Sequence, residues 1–216
     1  TIPKLFDNEN MIFSYVKDFN VYIWRCVQSS YVCDTSTIKT YQITSDGAEK
    51  NGKMNGITDW MYAVEITDDD SLMWFNDDNS YFSYGVLDQK DVSLFEYQVY
   101  GKTPALDNNY KGVYPYMISF PYPAPGTRLP KTTVYFLNLV ELFSNDSNNQ
   151  KIPQVTELVP SAEVQNWAIG STSDPEDYKY KGYYLNIARW VDANTFEAQY
   201  KNRNENEAVT ERCSIG

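Results

Sequence analysis

Residues 60–100 read WMYAVEITDDDSLMWFNDDNSYFSYGVLDQKDVSLFEYQVY, and the punctuation of this stretch decides the fold class. Short apolar or aromatic runs alternate with Asp- and Asn-rich turns. Trp60 to Ile66 places Trp60, Tyr62, Val64 and Ile66 on one face of an expected strand, with Glu65 on the other. Asp68-Asp69-Asp70 then turns the chain into Ser71 to Phe75, and Asn76-Asp77-Asp78-Asn79 turns it into Tyr81 to Leu87. Val92 to Tyr100 follows, with Phe95, Tyr97 and Val99 sharing a face and Glu96 opposite them. Four short strands at roughly ten-residue spacing form an antiparallel meander, the pattern of a barrel or a sandwich.

The flanks agree. Upstream, Val21 to Gln28 alternates and Thr37 to Thr44 is β-branched, before Asp46-Gly47, Asn51-Gly52 and Asn55-Gly56 break the chain repeatedly. Downstream, Val113 to Phe120 is a strand, and the proline-rich 121–130 is a stiff surface loop. Thr132 to Phe143 is apolar on both faces, so something covers its outer side. Tyr183 to Val191 and Thr195 to Tyr200 form a last pair. Two helices are expected, one within Leu5 to Phe19 and one after Pro160, with Ser161 as N-cap. The expectation is all-β: an antiparallel meander closed into a barrel with one or two short helices, a β-sandwich being the alternative. No linker divides residues 1–216, so one β-rich domain is expected.

Composition narrows function. The chain has 216 residues, 16% of them aromatic, and no histidine. Without histidine there is no Ser-His-Asp or Cys-His catalysis within it and no histidine zinc site. A net charge of −11 with no Lys/Arg cluster argues against nucleic acid and anionic membrane surfaces. It suits a cation, an amine or a basic protein. Asp68, Asp69, Asp70, Asp77 and Asp78 crowd two turns, but the EF-hand calcium spacing is absent, and solvated turn-formers are the simpler reading. Glu65, Glu96 and Glu141 are candidate carboxylates for a glycosidase, an activity that sequence spacing alone does not support. No catalytic residue, metal or cofactor is expected.

Cys26, Cys33 and Cys213 allow three single bridges. A Cys26–Cys33 bridge needs a tight hairpin at Ser29-Ser30, a poor turn pair. A Cys33–Cys213 bridge anchors the charged C-terminal segment and is the expected pairing, with Cys26 a buried thiol. The opening at Thr1, without Met or a charged-then-apolar leader, and the sequon Asn145-Asp146-Ser147 fit a secreted glycoprotein.

Tyr22 with Trp24, Trp60 with Tyr62, Phe95 with Tyr97, and Tyr135 alone each take one face of a separate expected strand. Pointing into one barrel, they would line a cup for an apolar or aromatic ligand, with Glu65 or Glu96 balancing an ammonium group. The chain runs from an N-terminal helical segment through Tyr22-Ile23-Trp24-Arg25 as first strand, a cysteine some ten residues on and Thr58-Asp59-Trp60 before the meander, to a late helix, strand and cysteine. This layout resembles the divergent lipocalins of blood-feeding arthropod saliva. That resemblance implies a lipocalin-like barrel and a secreted carrier that sequesters a small amine or lipophilic molecule. The alternative is a sandwich-type interaction module that binds a basic protein or glycan through exposed Tyr and the acidic turns.

Overall fold

The computed structural model describes residues 10–27, 33, 38–49, 52–100, 115–144, 151–168 and 182–215. Strands β1 (Asn10–Lys17), β2 (Asn20–Val27) and β3 (Ile38–Gln42) form a first antiparallel sheet in that order. From residue 10 on, the expected N-terminal helix is instead β1, and residues 5–9 lie outside the described residues. Asp18 and Phe19 both adopt positive φ (50° and 61°), the signature of a two-residue hairpin turn that feeds β1 directly into β2. The hairpin register stacks Phe13 on Trp24 at 4.3 Å and Tyr15 on Tyr22 at 5.2 Å. Cross-strand aromatic pairs of this kind override a weak helical period.

Strands β4 (Lys53–Asn55), β5 (Met73–Phe75) and β6 (Tyr81–Asp88) belong to a second sheet. A two-stranded ribbon, β7 (Leu94–Val99) and β8 (Tyr116–Pro121), leaves that sheet before β9 (Lys131–Asn138) returns to it. β10 (Thr156–Leu158) completes the order β10-β9-β6, and β4 and β5 share the other edge of β6. The expected long strand 132–143 stops at Asn138, whose Oδ1 accepts the Glu141 N–H at 2.9 Å and caps helix α1 (Leu139–Ser144). Helix α2 (Ala162–Ala168) begins after Ser161, as its capping pattern predicts. Strands β11 (Tyr183–Trp190), β12 (Thr195–Asn202) and β13 (Ala208–Ser214) make a third antiparallel sheet.

The fold is therefore all-β and antiparallel, with few short helices. Among the described residues the hydrogen-bonded ladders end within each sheet, so the expected barrel does not close. The three main sheets instead stack. Phe82, Tyr84, Val86 and Leu137 of the second sheet pack with Val21, Ile23 and Tyr41 of the first. Leu87, Val134 and Phe136, from its other face, pack with Leu185, Phe196 and Tyr200 of the third. Phe196 meets Phe136 at 5.0 Å and Trp190 at 5.3 Å, both edge-on.

On the third sheet, Arg189, Glu197 and Arg212 lie directly opposite one another across β11, β12 and β13. The Glu197 carboxylate, 6% exposed, receives Arg189 at 2.6 Å and Arg212 at 2.8 Å. The Arg212 guanidinium, then that of Arg189, holds the Glu197 carboxyl below its ordinary 4.5. The cysteines differ from expectation. Cys26 is joined to Cys33 across a Cα–Cα distance of 6.0 Å, and Cys213 on β13 is a free thiol, so the Cys33–Cys213 bridge is not formed. Strand β13 lies against β12 and needs no covalent anchor, because its ladder and the arginine row already hold it. Asn145 lies outside the described residues.

Two outcomes are expected. Peptide mapping without reduction will link the Cys26 and Cys33 fragments, and Cys213 will take up a thiol reagent once the protein is unfolded. Folding depresses the Glu197 pKa, so its stabilisation is complete above 4.5 and is lost as pH falls through the depressed value. Glu197→Gln will therefore melt lower at neutral pH, and the gap to wild type will narrow in melts run on the acid side of 4.5.

Candidate functional site

The feature that stands out from the stacked sheets is an insertion between β4 and β5. Both strands pair with β6, and the switch from one to the other occurs at Gly85. There Gly56 N–H donates to Gly85 O at 2.7 Å, Leu72 N–H to Gly56 O at 3.0 Å, and Gly85 N–H to Leu72 O at 2.8 Å. A Cβ on Gly85 would stand 2.9 Å from the Leu72 Cβ, and Gly56 has a φ of +74°, so both positions need glycine. These bonds and the Ile57–Ser71 bridge close the ends of residues 57–71, which project as a compact loop.

Helix, not strand, fills that loop. Asp59 Oδ1 accepts the Tyr62 N–H at 2.8 Å and caps a helical run that starts at Trp60. The run continues as a π-helix over Tyr62–Ile66. Its wide turn is closed by Thr67, whose N–H (2.9 Å) and hydroxyl (3.0 Å) both donate to Tyr62 O. Single π-turns of this kind concentrate at functional sites. Met61, Tyr62 and Ile66 face the core, whereas Trp60 (57% exposed), Val64 (54%) and Glu65 face solvent. The period-2 reading of Trp60 to Ile66 therefore placed Trp60 and Val64 on the same face as Tyr62, and the helix separates them. The sequence did carry a signal for this: Asp59 stands three residues before Tyr62, as an N-cap requires.

Buried bonds hold the turn. The Tyr62 ring is fully buried, and its hydroxyl pairs with Thr132 Oγ1 of β9 at 2.6 Å and accepts the Leu185 N–H of β11 at 3.3 Å. Burial pushes the Tyr62 phenol well above its ordinary value, so it stays neutral. Asp59 Oδ2 accepts Gln89 Nε2 at 2.7 Å, and desolvation raises the Asp59 pKa.

The other predicted site residues do not converge on a cup. Tyr22 and Trp24 stack within the first sheet, and Tyr135 stacks on Tyr84 at 5.6 Å in the second. Phe95 and Tyr97 lie on the exposed ribbon against Phe120, at 5.8 and 6.3 Å, with Glu96 alternating to the opposite face. Tyr122, just past β8, touches both Phe95 (6.0 Å) and Trp60 (5.9 Å). Of the expected residues, Trp60, Phe95 and Tyr97 thus share one continuous aromatic surface, and Glu65 projects from the same helical turn as Trp60. The acidic turns are Asx-turns: Asp69 accepts the Ser71 N–H, and Asp78 accepts the Ser80 N–H, both at 2.9 Å. Among the described residues no group of three or more His, Cys, Asp or Glu is set to hold a metal ion, and no helix is long and apolar enough to cross a membrane.

One cavity of about 550 Å³ has a distinctive wall. Phe13 and Ser14 of β1, Trp74 and Phe75 of β5, and Arg189 and Trp190 of β11 all line it. Each of the three stacked sheets turns one edge strand toward the same space.

Stacked antiparallel sheets that border one cavity, with a clamped helical loop at one edge, define a class of all-β scaffold distinct from any closed carrier barrel. Residues 6–215 match the profile of the dipeptidyl peptidase IV (DPP IV) N-terminal region, and the chain belongs to that family. It is 26% identical over 192 residues to dipeptidyl peptidase 4 of Sus scrofa, covering 89% of this chain and 21% of that protein. It is 25% identical over 175 residues to prolyl endopeptidase FAP of Mus musculus, covering 81% of this chain and 19% of that protein. Venom dipeptidyl peptidase 4 of Vespula vulgaris is 26% identical over 176 residues, covering 82% of this chain and 20% of that protein. The crystal structure of Porphyromonas gingivalis dipeptidyl peptidase 4 shares the fold, with a TM-score of 0.62 at 19% identity over 99% of this chain and 24% of that one. The chain spans about a fifth of the length of the curated relatives it matches.

This membership overturns the lipocalin resemblance. It also overturns the carrier of a small amine or lipophilic molecule, and it lends no support to the alternative module for a basic protein or glycan. The shared layout of strand, cysteine and late helix arose from meanders in separate sheets, which a linear reading does not distinguish from one closed meander. The named relatives are peptidases, and the match covers about a fifth of their length.

Removing only the phenolic oxygen tests the turn's attachment. Tyr62→Phe strands Thr132 Oγ1 and the Leu185 N–H in the core and will cost about 1–3 kcal/mol, read as a lower urea midpoint with an unchanged slope.

Proposed function

We propose that the 216 residues are one β-rich, non-catalytic unit of a dipeptidyl-peptidase-type enzyme, built as successive blades of a β-propeller. In this reading the π-helical turn presents Glu65 to the free amino terminus of a peptide substrate. Supporting the blades are small antiparallel meanders stacked face to face, with β1, β5 and β11 bordering one cavity. Propeller blades arranged about a central channel have this geometry. With no histidine in the chain, a Ser-His-Asp centre would take its base from residues outside it.

The observation that carries the reading is the turn itself. An enzyme that releases dipeptides must measure from the substrate's amino end, and an ammonium group is held by an ionised carboxylate on a rigid support. Glu65 is exposed, stands on a turn fixed by buried bonds, and adjoins the aromatic surface of Trp60 and Tyr122. That surface can take apolar parts of the bound peptide. The Cys26–Cys33 disulfide and the venom relative support a location outside the cytosol.

The test uses the full-length protein and a chromogenic dipeptidyl amide with a free amino terminus. Glu65→Gln will raise KM roughly 10- to 100-fold, the range for losing one hydrogen bond to a charged group, with kcat much less affected. Unchanged KM in a folded variant would overturn the reading.

A further inference from the structure

We infer that Gln89, acting through Asp59, is a positioning residue that sets the orientation of Glu65; the inference rests on the amino-terminus reading given above. The Tyr62 strut fixes one point of the helical turn, between β9 and β11. The clamped loop ends and the packing of Met61 and Ile66 hold the loop as a whole, but at the start of the helix the side-chain tie to the sheet is the one made by Asp59. The second point is the Asp59 carboxylate, which uses both oxygens: Oδ1 caps the helix at Tyr62, and Oδ2 takes the Gln89 amide at 2.7 Å.

Gln89 is itself fixed. It follows β6 at the root of the ribbon, where its N–H donates to Gly52 O at 2.7 Å and its carbonyl accepts the Val92 N–H at 2.9 Å. Both Asp59 and Gln89 are buried, so water does not compete for their bond. A cap alone needs only Oδ1. The second oxygen joins the helical turn to the end of the central sheet, beside the Thr132 anchor of Tyr62, and adds a second side-chain attachment at the start of the helix. Glu65 lies three residues from Tyr62 on the outward face, so a small roll of the helix displaces its carboxylate. A misplacement of about 1 Å is enough to lose much of an oriented contact.

The experiment is a double-mutant cycle in the full-length enzyme with the same dipeptidyl amide. Gln89→Leu breaks the tie but leaves the Asp59 cap, and Gln89→Asn shortens the side chain by one methylene while keeping an amide in place. Each is expected to raise KM three- to tenfold with kcat within twofold. In the Glu65→Gln background neither should raise KM further. Asp59→Asn should retain most of the wild-type KM, because the Gln89 amide can flip and accept from the new amide, whereas Asp59→Ala should not. If Glu65→Gln raises KM but folded Gln89→Leu and Gln89→Asn leave it unchanged, the tie does not position Glu65 and the inference falls alone. If the Gln89 variants raise KM equally in both backgrounds, they act by another route and the inference also falls. If Glu65→Gln itself is silent, the amino-terminus reading falls and takes this one with it. Should Gln89→Leu not fold, Gln89→Asn decides.

Discussion

The antiparallel ladder between β6 and β9 runs without interruption from Tyr81 opposite Asn138 to Asp88 opposite Lys131, and it is buried on both faces. Phe82, Tyr84 and Leu137 project toward the first sheet, while Leu87, Val134 and Phe136 project toward the third. Each large side chain removed from water contributes roughly 1.5–3 kcal/mol, and because the two faces are separate, the ladder supports two cores at once. Sheets one and three have no common hydrogen-bonded ladder among the described residues. The central sheet is what relates them.

The candidate site depends on the same ladder. β6 offers its free edge to two short strands in succession, β4 and β5, and the loop over 57–71 exists because those strands meet at Gly85. Had one continuous strand filled that edge, no loop would project. The turn is then pinned to β9 through Thr132 and to the end of β6 through Gln89, so both ladder strands reach it. A carboxylate on a surface loop is ordinarily mobile. Here the turn beneath Glu65 is fastened to the most deeply buried sheet.

The two clusters of charge play different parts. Glu197 is enclosed by two guanidiniums lying directly across the strands, and that row braces the third sheet. The Asp-rich turns at 68–70 and 77–78 bend the chain by hydrogen-bonding their own backbone. The exposed ribbon is the least supported element, since among the described residues β7 and β8 pair only with each other. Its aromatic side chains meet the scaffold through Tyr122 and Trp60, at the edge of the helical turn.

Sequence alone determined the class of structure, because strand periodicity and Asp/Asn/Gly turns are local properties. Val21 to Gln28, Tyr81 to Leu87, Tyr183 to Val191 and Thr195 to Tyr200 are strands close to where their alternation places them, and Ser161 starts a helix as its capping pattern requires. The two apolar faces of 132–138 correctly signalled a strand covered on both sides. The partners of each strand were decided by tertiary structure. A meander that closes on itself and one divided among stacked sheets present the same period of two, and only side-chain packing between sheets separates them. The same holds for residues 10–17, where stacking of Phe13 on Trp24 and Tyr15 on Tyr22 selects a strand over a helix. It holds again for Trp60 to Ile66, whose alternation suits a strand until the clamped ends of the loop and the Asp59 cap impose a helical turn. Gln89 and Thr132 carried no mark in the sequence, because their importance lies in contacts 30 and 70 residues away along the chain, which only the folded sheet brings within hydrogen-bonding distance.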